Sequence, residues 1–414
     1  MQQIQCPNRQ KMCGGCDDIS TPYQQQLQKK TQQIEQLFAH ICPVKDIDFA
    51  PEHLYYRHKV TATFAKRGKQ VILGIYQKNS HRVVPSTDCM LQSKRANQVL
   101  AAILQVVNAN HFTPYDEDRG TGLLRHVVVR VSADTQDVMV TVVTSSPVFP
   151  GSKNFVRQLV QLCPFVKTVV QNINTSHTTM VLGKGEKVLY GNGHLLDKLL
   201  GHTFSISSQS FYQVNPADTQ ILYQHALNMA NIGQHTTFWD AYCGTGTIGI
   251  CAAAAGGQGT GVELNPRAVA DAVQNAKCNH IHNMRFVCMD AGKYLSQLRT
   301  PVNVLFVDPP RSGCSAEFIN SVGRAKPSRI VYISCNPETQ VRDIKQLLKK
   351  GYCAQYCQPV DMFPHTDHVE TVVLLSRKSA SKTFIPVTIS PKDMEQFRDK
   401  TAPVQKMGKE LNVN

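Results

Sequence analysis

The stretch Asp240-Ala241-Tyr242-Cys243-Gly244-Thr245-Gly246-Thr247-Ile248-Gly249 closes one regular run and opens another. Before it, Phe238 to Tyr242 reads as a strand; after it, an alanine-rich segment reads as a helix. Glycines at such a turn let the backbone bend sharply and meet a ligand with no Cβ in the way. The helix start adds unpaired N–H groups. Glu263 ends the next strand-like run, 19 residues beyond Gly244, where doubly wound sheets carry an acid that accepts hydrogen bonds from ribose hydroxyls. Gly244-x-Gly246-x-x-Gly249 is also the dinucleotide fingerprint, so an NAD(P)-dependent oxidoreductase is one reading of the turn.

Outward from this turn the same alternation continues. Strand-like runs at Gly259 to Leu264, Arg285 to Cys288, Val302 to Val307, Arg329 to Ser334 and Val369 to Leu375 are separated by helical ones such as Pro266 to Cys278 and Glu338 to Leu348. That pattern predicts an α/β unit, a parallel sheet flanked by helices, over 201–378. Upstream, 51–200 is β-rich, with Lys59 to Phe64, His126 to Val131 and Val138 to Val143 as strands and Val99 to Val107 and Phe155 to Leu162 as helices: a mixed α+β domain. Residues 1–50 hold a cysteine-containing start and a Gln- and Lys-rich helix, Tyr23 to Phe38, with Leu27, Ile34 and Leu37 as its thin apolar face. Residues 379–414 read as a tail or surface helix.

Lys and Arg total 44 against 30 acids, a formal charge of +14. Such a field attracts polyanions, of which nucleic acid is the commonest. No stretch has the roughly 20 apolar residues a membrane span needs, and the first residues are no signal peptide, so the expected location is the cytoplasm, with no membrane and no obligate protein partner in evidence. Fourteen cysteines in this setting point to reduced thiols with metal or catalytic uses.

Asn215-Pro216-Ala217-Asp218 suits a helix start, Asn as N-cap, Pro at N1 and Asp at N3. Gln213 and the aromatic pair Phe211-Tyr212 just before it have no such structural necessity. Cys335 follows the strand Arg329 to Ser334, at the sheet edge where open α/β folds bind ligands. Glu370 enters the last strand. Cys6, Cys13, Cys16 and the distant Cys89 supply four thiolates, which suit zinc and an iron–sulfur cluster equally by count and spacing.

Several ordered motifs together carry a resemblance: Phe211-Tyr212-Gln213-Val214-Asn215, Asp240-x-Tyr242-Cys243-Gly244-x-Gly246, Asp308-Pro309-Pro310-Arg311, Ser334-Cys335-Asn336-Pro337, and Asp361-Met362-Phe363-Pro364-His365-Thr366-x-His368-x-Glu370. Over essentially residues 1–378 the chain resembles the RNA 5-methyluridine methyltransferases. The resemblance implies a Rossmann-like catalytic domain using S-adenosylmethionine, with Cys335 as nucleophile, Glu370 as proton-abstracting base, and cofactor contacts from Gln213, Tyr242, Thr247, Glu263, Asp290 and Asp308. Uracil C5 is too weakly nucleophilic to attack a methyl donor unaided, so a thiolate must add to C6 and a base must later take the C5 proton. Members acting on 23S ribosomal RNA carry a [4Fe–4S] cluster on the pattern of Cys6, Cys13, Cys16 and Cys89, which implies that RNA as substrate and that cluster as a second cofactor. Transfer RNA is the alternative target within the family. A non-enzymatic iron–sulfur or zinc RNA-binding protein would have lost a catalytic position, and none is lost. Larger relatives begin with a β-barrel RNA-binding domain, which this sequence is expected to lack. RNA contacts are then expected from Arg57, His58, Lys59, Lys66, Arg67 and Lys69.

Overall fold

Runs of β-branched residues build two seven-stranded sheets in a computed structural model that describes residues 4, 6–8, 11–298 and 302–378. The expected tail, 379–414, lies outside them. Helix α1 (Tyr23–Phe38) is followed by β1 (Lys59–Arg67), β2 (Gln70–Tyr76), β3 (Val83–Pro85), α2 (Lys94–Ala109), β4 (Leu124–Val131), β5 (Val138–Thr144), α3 (Ser152–Leu162), β6 (Val166–Ile173) and β7 (Gly185–Tyr190). These strands lie in the order β3-β2-β1-β4-β5-β6-β7, and only β5 and β6, joined through α3, run parallel. Alternate residues such as Val60, Ala62 and Phe64 on β1, or Val127, Val129 and Val131 on β4, pack on α2 and α3, the period-two signature of a half-covered sheet.

A hairpin follows, β8 (His194–Leu199) and β9 (His202–Ser207), closed by Leu200 and Gly201, both at positive φ. Then come α4 (Pro216–Ala230), β10 (Thr237–Ala241), α5 (Thr247–Ala254), β11 (Gln258–Glu263), α6 (Pro266–Cys278), β12 (Met284–Cys288), α7 (Ala291–Gln297), β13 (Val304–Val307), α8 (Ala316–Ala325), β14 (Arg329–Ser334), α9 (Pro337–Lys349), β15 (Tyr352–Val360) and β16 (Glu370–Arg377). The second sheet runs β12-β11-β10-β13-β14-β16-β15. Strands β10 to β14 are parallel, as expected, while β16 is antiparallel to both its neighbours.

Helices α7, α8 and α9 cover one face of this sheet and α4, α5 and α6 the other. Phe238, Phe306 and Tyr332 are fully buried there, and burial of each large side chain favours folding by about 1.5–3 kcal/mol. The Gln-rich α1 joins the first of these faces, with Ile34 and Phe38 in its core. Its Lys30 is buried too, 2.6 Å from Asp361, which also accepts the Tyr23 hydroxyl at 2.7 Å. The helix therefore anchors the segment that leads into β16. Among the described residues no helix is long and apolar enough to cross a membrane.

Candidate active site

Strand register places the catalytic candidates. The β14–β16 ladder ends with Ser334 opposite Thr371; one step further, Cys335 leaves β14 as Glu370 enters β16. Because β16 runs backwards, its first residue meets the carboxyl edge of the parallel strands, where Asp308 also leaves β13. Cys335, Glu370 and Asp308 line one cavity of about 600 Å³, together with Gln213, Tyr242, Thr247, Glu263 and Asp290. All eight residues expected at the catalytic and cofactor sites thus meet in one place.

The glycine turn has divided labour. Tyr242 sits at φ +64°, an uncommon conformation for a non-glycine residue, and turns the chain out of β10 into the cavity wall. Gly244 (φ +55°) has open space where a Cβ would stand, and Gly246 (φ +83°) caps α5. At Gly249 a Cβ would run into the Met284 methyl and stand 2.9 Å from Asp240, so this glycine serves helix–strand packing. Asp240 accepts the Gly249 N–H at 2.9 Å and fixes the helix start. Glu263 accepts the Gly244 and Asn265 N–H groups at 3.1 and 2.8 Å, which aims its carboxylate at the turn. Asp290 is the N-cap of α7, accepting from Lys293 N–H. Asn215 caps α4 as expected, and Asp218 is buried beneath it and pushed up to about 7 by that burial.

The electrostatics separate the two cofactor readings. Asp308 and Glu370 make no side-chain hydrogen bond among the described residues, and burial pushes them up to about 7 and about 8. Burial lifts Asp240 to about 8 as well. Asp308 and Glu370, carboxyls without a hydrogen-bond partner among the described residues, favour a cationic ligand. S-adenosylmethionine carries a sulfonium and an ammonium; a dinucleotide would bring its pyrophosphate negative charge among them. The donor set fits the sulfonium cofactor. Cys335 is pushed up to about 11 by burial, then by Glu370 and Asp308, while Arg311 acts the other way on both Cys335 and Glu370.

Sequence reasoning missed Tyr223, fully buried in α4, whose hydroxyl lies 3.4 Å from Thr247 Oγ1 on the cavity wall. An apolar-looking helix position carries no signal for that role. The aromatic pair splits: Tyr212 joins the core, while Phe211 is 66% exposed at the cavity rim. Of the basic candidates, His58 and Lys59 are largely withdrawn; burial, then the Arg130 charge, lowers Lys59 to about 8. Arg57 leans on the Tyr56 ring. Lys66, Arg67 and Lys69, at the β1–β2 turn, are exposed.

The four expected thiol ligands, Cys6, Cys13, Cys16 and Cys89, line one cavity of about 240 Å³. Among the described residues no three His, Cys, Asp or Glu side chains converge closely enough to hold one metal ion. A tetrahedral zinc draws its thiolates to about 2.3 Å from a single point. An iron–sulfur cube would instead engage thiolates spread round its corners.

A doubly wound sheet with a reversed last strand, a glycine turn and an acid-lined cavity at its carboxyl edge is the architecture of a nucleoside-cofactor-binding α/β domain, here with the Cys335 thiol in the cavity wall. The profile of the tRNA (uracil-5-)-methyltransferase family matches residues 22–378. A protein of Oceanobacillus iheyensis named as an uncharacterized RNA methyltransferase is 40% identical over 375 residues, 88% of this chain and 82% of that protein. One from Halalkalibacterium halodurans, named likewise, is 36% identical over 377 residues, covering 89% and 82%. Pyrococcus abyssi tRNA (uracil-54, C5)-methyltransferase, solved with S-adenosyl-L-homocysteine, shares the fold with a TM-score of 0.74 at 24% identity, over 88% of this chain and 86% of that one. The chain belongs to the tRNA (uracil-5-)-methyltransferase family and is an S-adenosylmethionine-dependent RNA (uracil-C5)-methyltransferase.

Proposed function

We propose that this enzyme methylates C5 of a uridine in 23S ribosomal RNA, with Cys335 as covalent nucleophile and Glu370 as base. The observation that carries the mechanism is the shared cavity: thiol, carboxyl and cofactor-facing residues at one sheet edge. The Cys335 thiolate adds to uracil C6, and the ring electrons move to C5 as an enolate. Bound S-adenosylmethionine supplies the electrophilic methyl group. Glu370, as carboxylate, then takes the C5 proton; the C5–C6 double bond re-forms and the C6–S bond breaks, returning the thiolate. In the ligand-free protein both groups are held protonated by burial. Neutralising positive charge from the cofactor, beside Arg311, favours the ionised forms the reaction needs.

The ribosomal target is supported by the four-cysteine cavity, the feature that the resemblance associates with 23S-acting members. A [4Fe–4S] cluster there would supply four metal–thiolate bonds that cross-link the segment around Cys6, Cys13 and Cys16 to Cys89. Exposed Lys66 and Lys69 edge a further cavity of about 820 Å³ that includes Tyr76 and Tyr115, a mixed surface whose lysine side suits RNA phosphates while Asp116, Glu117 and Asp118 line the other. The family description and the Pyrococcus fold favour transfer RNA as a second reading, and cytoplasm is the proposed location for either.

Labelled cofactor with unmodified ribosomal RNA and tRNA, followed by mapping of the methylated base, decides between them. Label in tRNA alone overturns the ribosomal reading. In the same assay Cys335→Ala abolishes transfer with cofactor affinity nearly intact, and Glu370→Gln leaves RNA joined to protein after denaturation. Turnover by the first variant, or free RNA with the second, removes the assigned roles.

A further inference from the structure

The segment that carries Cys13 and Cys16 also touches the turn that leads into β16. Asp17 and Asp18 both donate their N–H groups to the His365 carbonyl, at 3.0 and 3.2 Å. In return Asp17 Oδ2 accepts the Asp367 N–H at 3.1 Å, while its other oxygen takes Lys78 Nζ at 2.7 Å. The next residue, His368, has Nδ1 3.0 Å from the Arg311 guanidinium. Arg311 lines the catalytic cavity with Cys335 and Glu370, and its charge favours the ionised form of each.

The geometry points to Asp17 as a positioning residue for methyl transfer: it clamps the 365–368 turn so that His368 holds Arg311 over the nucleophile and the base. The turn needs such a clamp. His365 stands at φ +63°, a conformation that survives only where its surroundings impose it. Both N–H groups on its carbonyl come from the cysteine segment. Arg311 is exposed and long, with many rotamers open to it, and its side-chain partner among the described residues is His368. Burial, then Arg311 itself, holds His368 below the ordinary histidine range, so a neutral ring nitrogen accepts the guanidinium N–H. The backbone of Arg311 is tied separately, its carbonyl accepting from Asn336 Nδ2 and Thr339 Oγ1 at 3.1 and 3.2 Å. Asp17 therefore governs where the charged head sits, while the chain beneath stays fixed.

This rests on the roles proposed for Cys335 and Glu370, and one assay separates the two claims. RNA carrying 5-fluorouridine at the target has no C5 proton to lose, so the thiol adduct persists and its rate of formation is read on a denaturing gel. Full-length protein is compared with Asp17→Ala, Asp17→Asn, His368→Ala and the Asp17→Ala/His368→Ala pair, and cofactor affinity is measured by calorimetry. Asp17→Ala slows adduct formation by about tenfold to a hundredfold, the usual cost of a small misplacement, with cofactor affinity unchanged. Asp17→Asn, which keeps an oxygen for Asp367, retains most of the rate. The double variant is no slower than the slower single one, because both act through Arg311. A wild-type rate in Asp17→Ala, or additive losses in the pair, overturns the positioning role. Should Asp17→Ala fail to fold, His368→Ala alone carries the test: its adduct formation slows to the same extent with cofactor affinity unchanged, and a wild-type rate in it overturns the role. No adduct in the wild-type protein sinks the covalent mechanism instead.

Discussion

Cofactor binding is expected to expel protons, by an amount the cavity sets. Asp308 and Glu370 face it without hydrogen-bond partners among the described residues, pushed up by burial to about 7 and about 8. At pH 7 a group titrating at 7 is half protonated and one titrating at 8 is about nine-tenths protonated, so the two together hold about 1.4 protons. A cationic ligand that restores ordinary carboxylate behaviour releases them. Affinity then rises with pH, by an upper limit of roughly 500-fold between pH 6 and 8. The sign for the ligand-free protein is opposite. Carboxyls raised in the folded state favour folding below their unfolded pKa of about 4, and that contribution is lost as pH rises through about 7 and 8. Titration calorimetry at pH 7 in two buffers of different ionisation enthalpy counts the protons directly. Asp308→Asn lowers the count by about half a proton or more, since the Asp308 charge also raises Glu370. Heats that do not depend on the buffer, with an affinity flat from pH 6 to 8, would refute the argument that these buried acids await a positive charge.

Asp361→Ala leaves the Lys30 ammonium buried without its carboxylate, a loss of about 3–5 kcal/mol in urea unfolding; a change under 1 kcal/mol counts against a tight buried pair. Gly249→Ala drives a methyl against Met284 and Asp240, costing about 1–3 kcal/mol of stability and weakening cofactor binding through the displaced helix start. Unchanged affinity in a folded Gly249→Ala protein would show that the turn does not depend on this contact.

The repeating parts of the fold were legible because their periodicity is local. Helix Tyr23–Phe38 and strand Arg329–Ser334 fall where the pattern sets them, and Asn215 caps α4 as its sequence neighbours require. β15 was missed, since Tyr352–Val360 mixes Cys, Gln and Pro, and its second half, Cys357 to Val360, is buried on both faces once β16 pairs with it. The β8–β9 hairpin was hidden by Leu200, which takes a positive φ that favours glycine or asparagine. The eight residues named for the active site came together, but their number reflects ordered motifs; spacing alone gave Glu370 no claim over any other strand-entry acid. Lys30 and Lys59 show the converse limit, for a lysine in sequence reads as a surface charge until a partner or a wall encloses it.

The reversed direction of β16 has a mechanical consequence. In a wholly parallel sheet, a residue entering a strand lies at the opposite rim from one leaving it, and the thiol and its proton acceptor would have to reach across the sheet's length. The antiparallel ladder from Arg329–Ser376 to Ser334–Thr371 instead indexes one against the other like teeth on a rack. Slippage by a single residue would send the carboxyl to the far face, so the spacing between nucleophile and base is as rigid as the main chain itself, and loops elsewhere can lengthen or shrink without disturbing it.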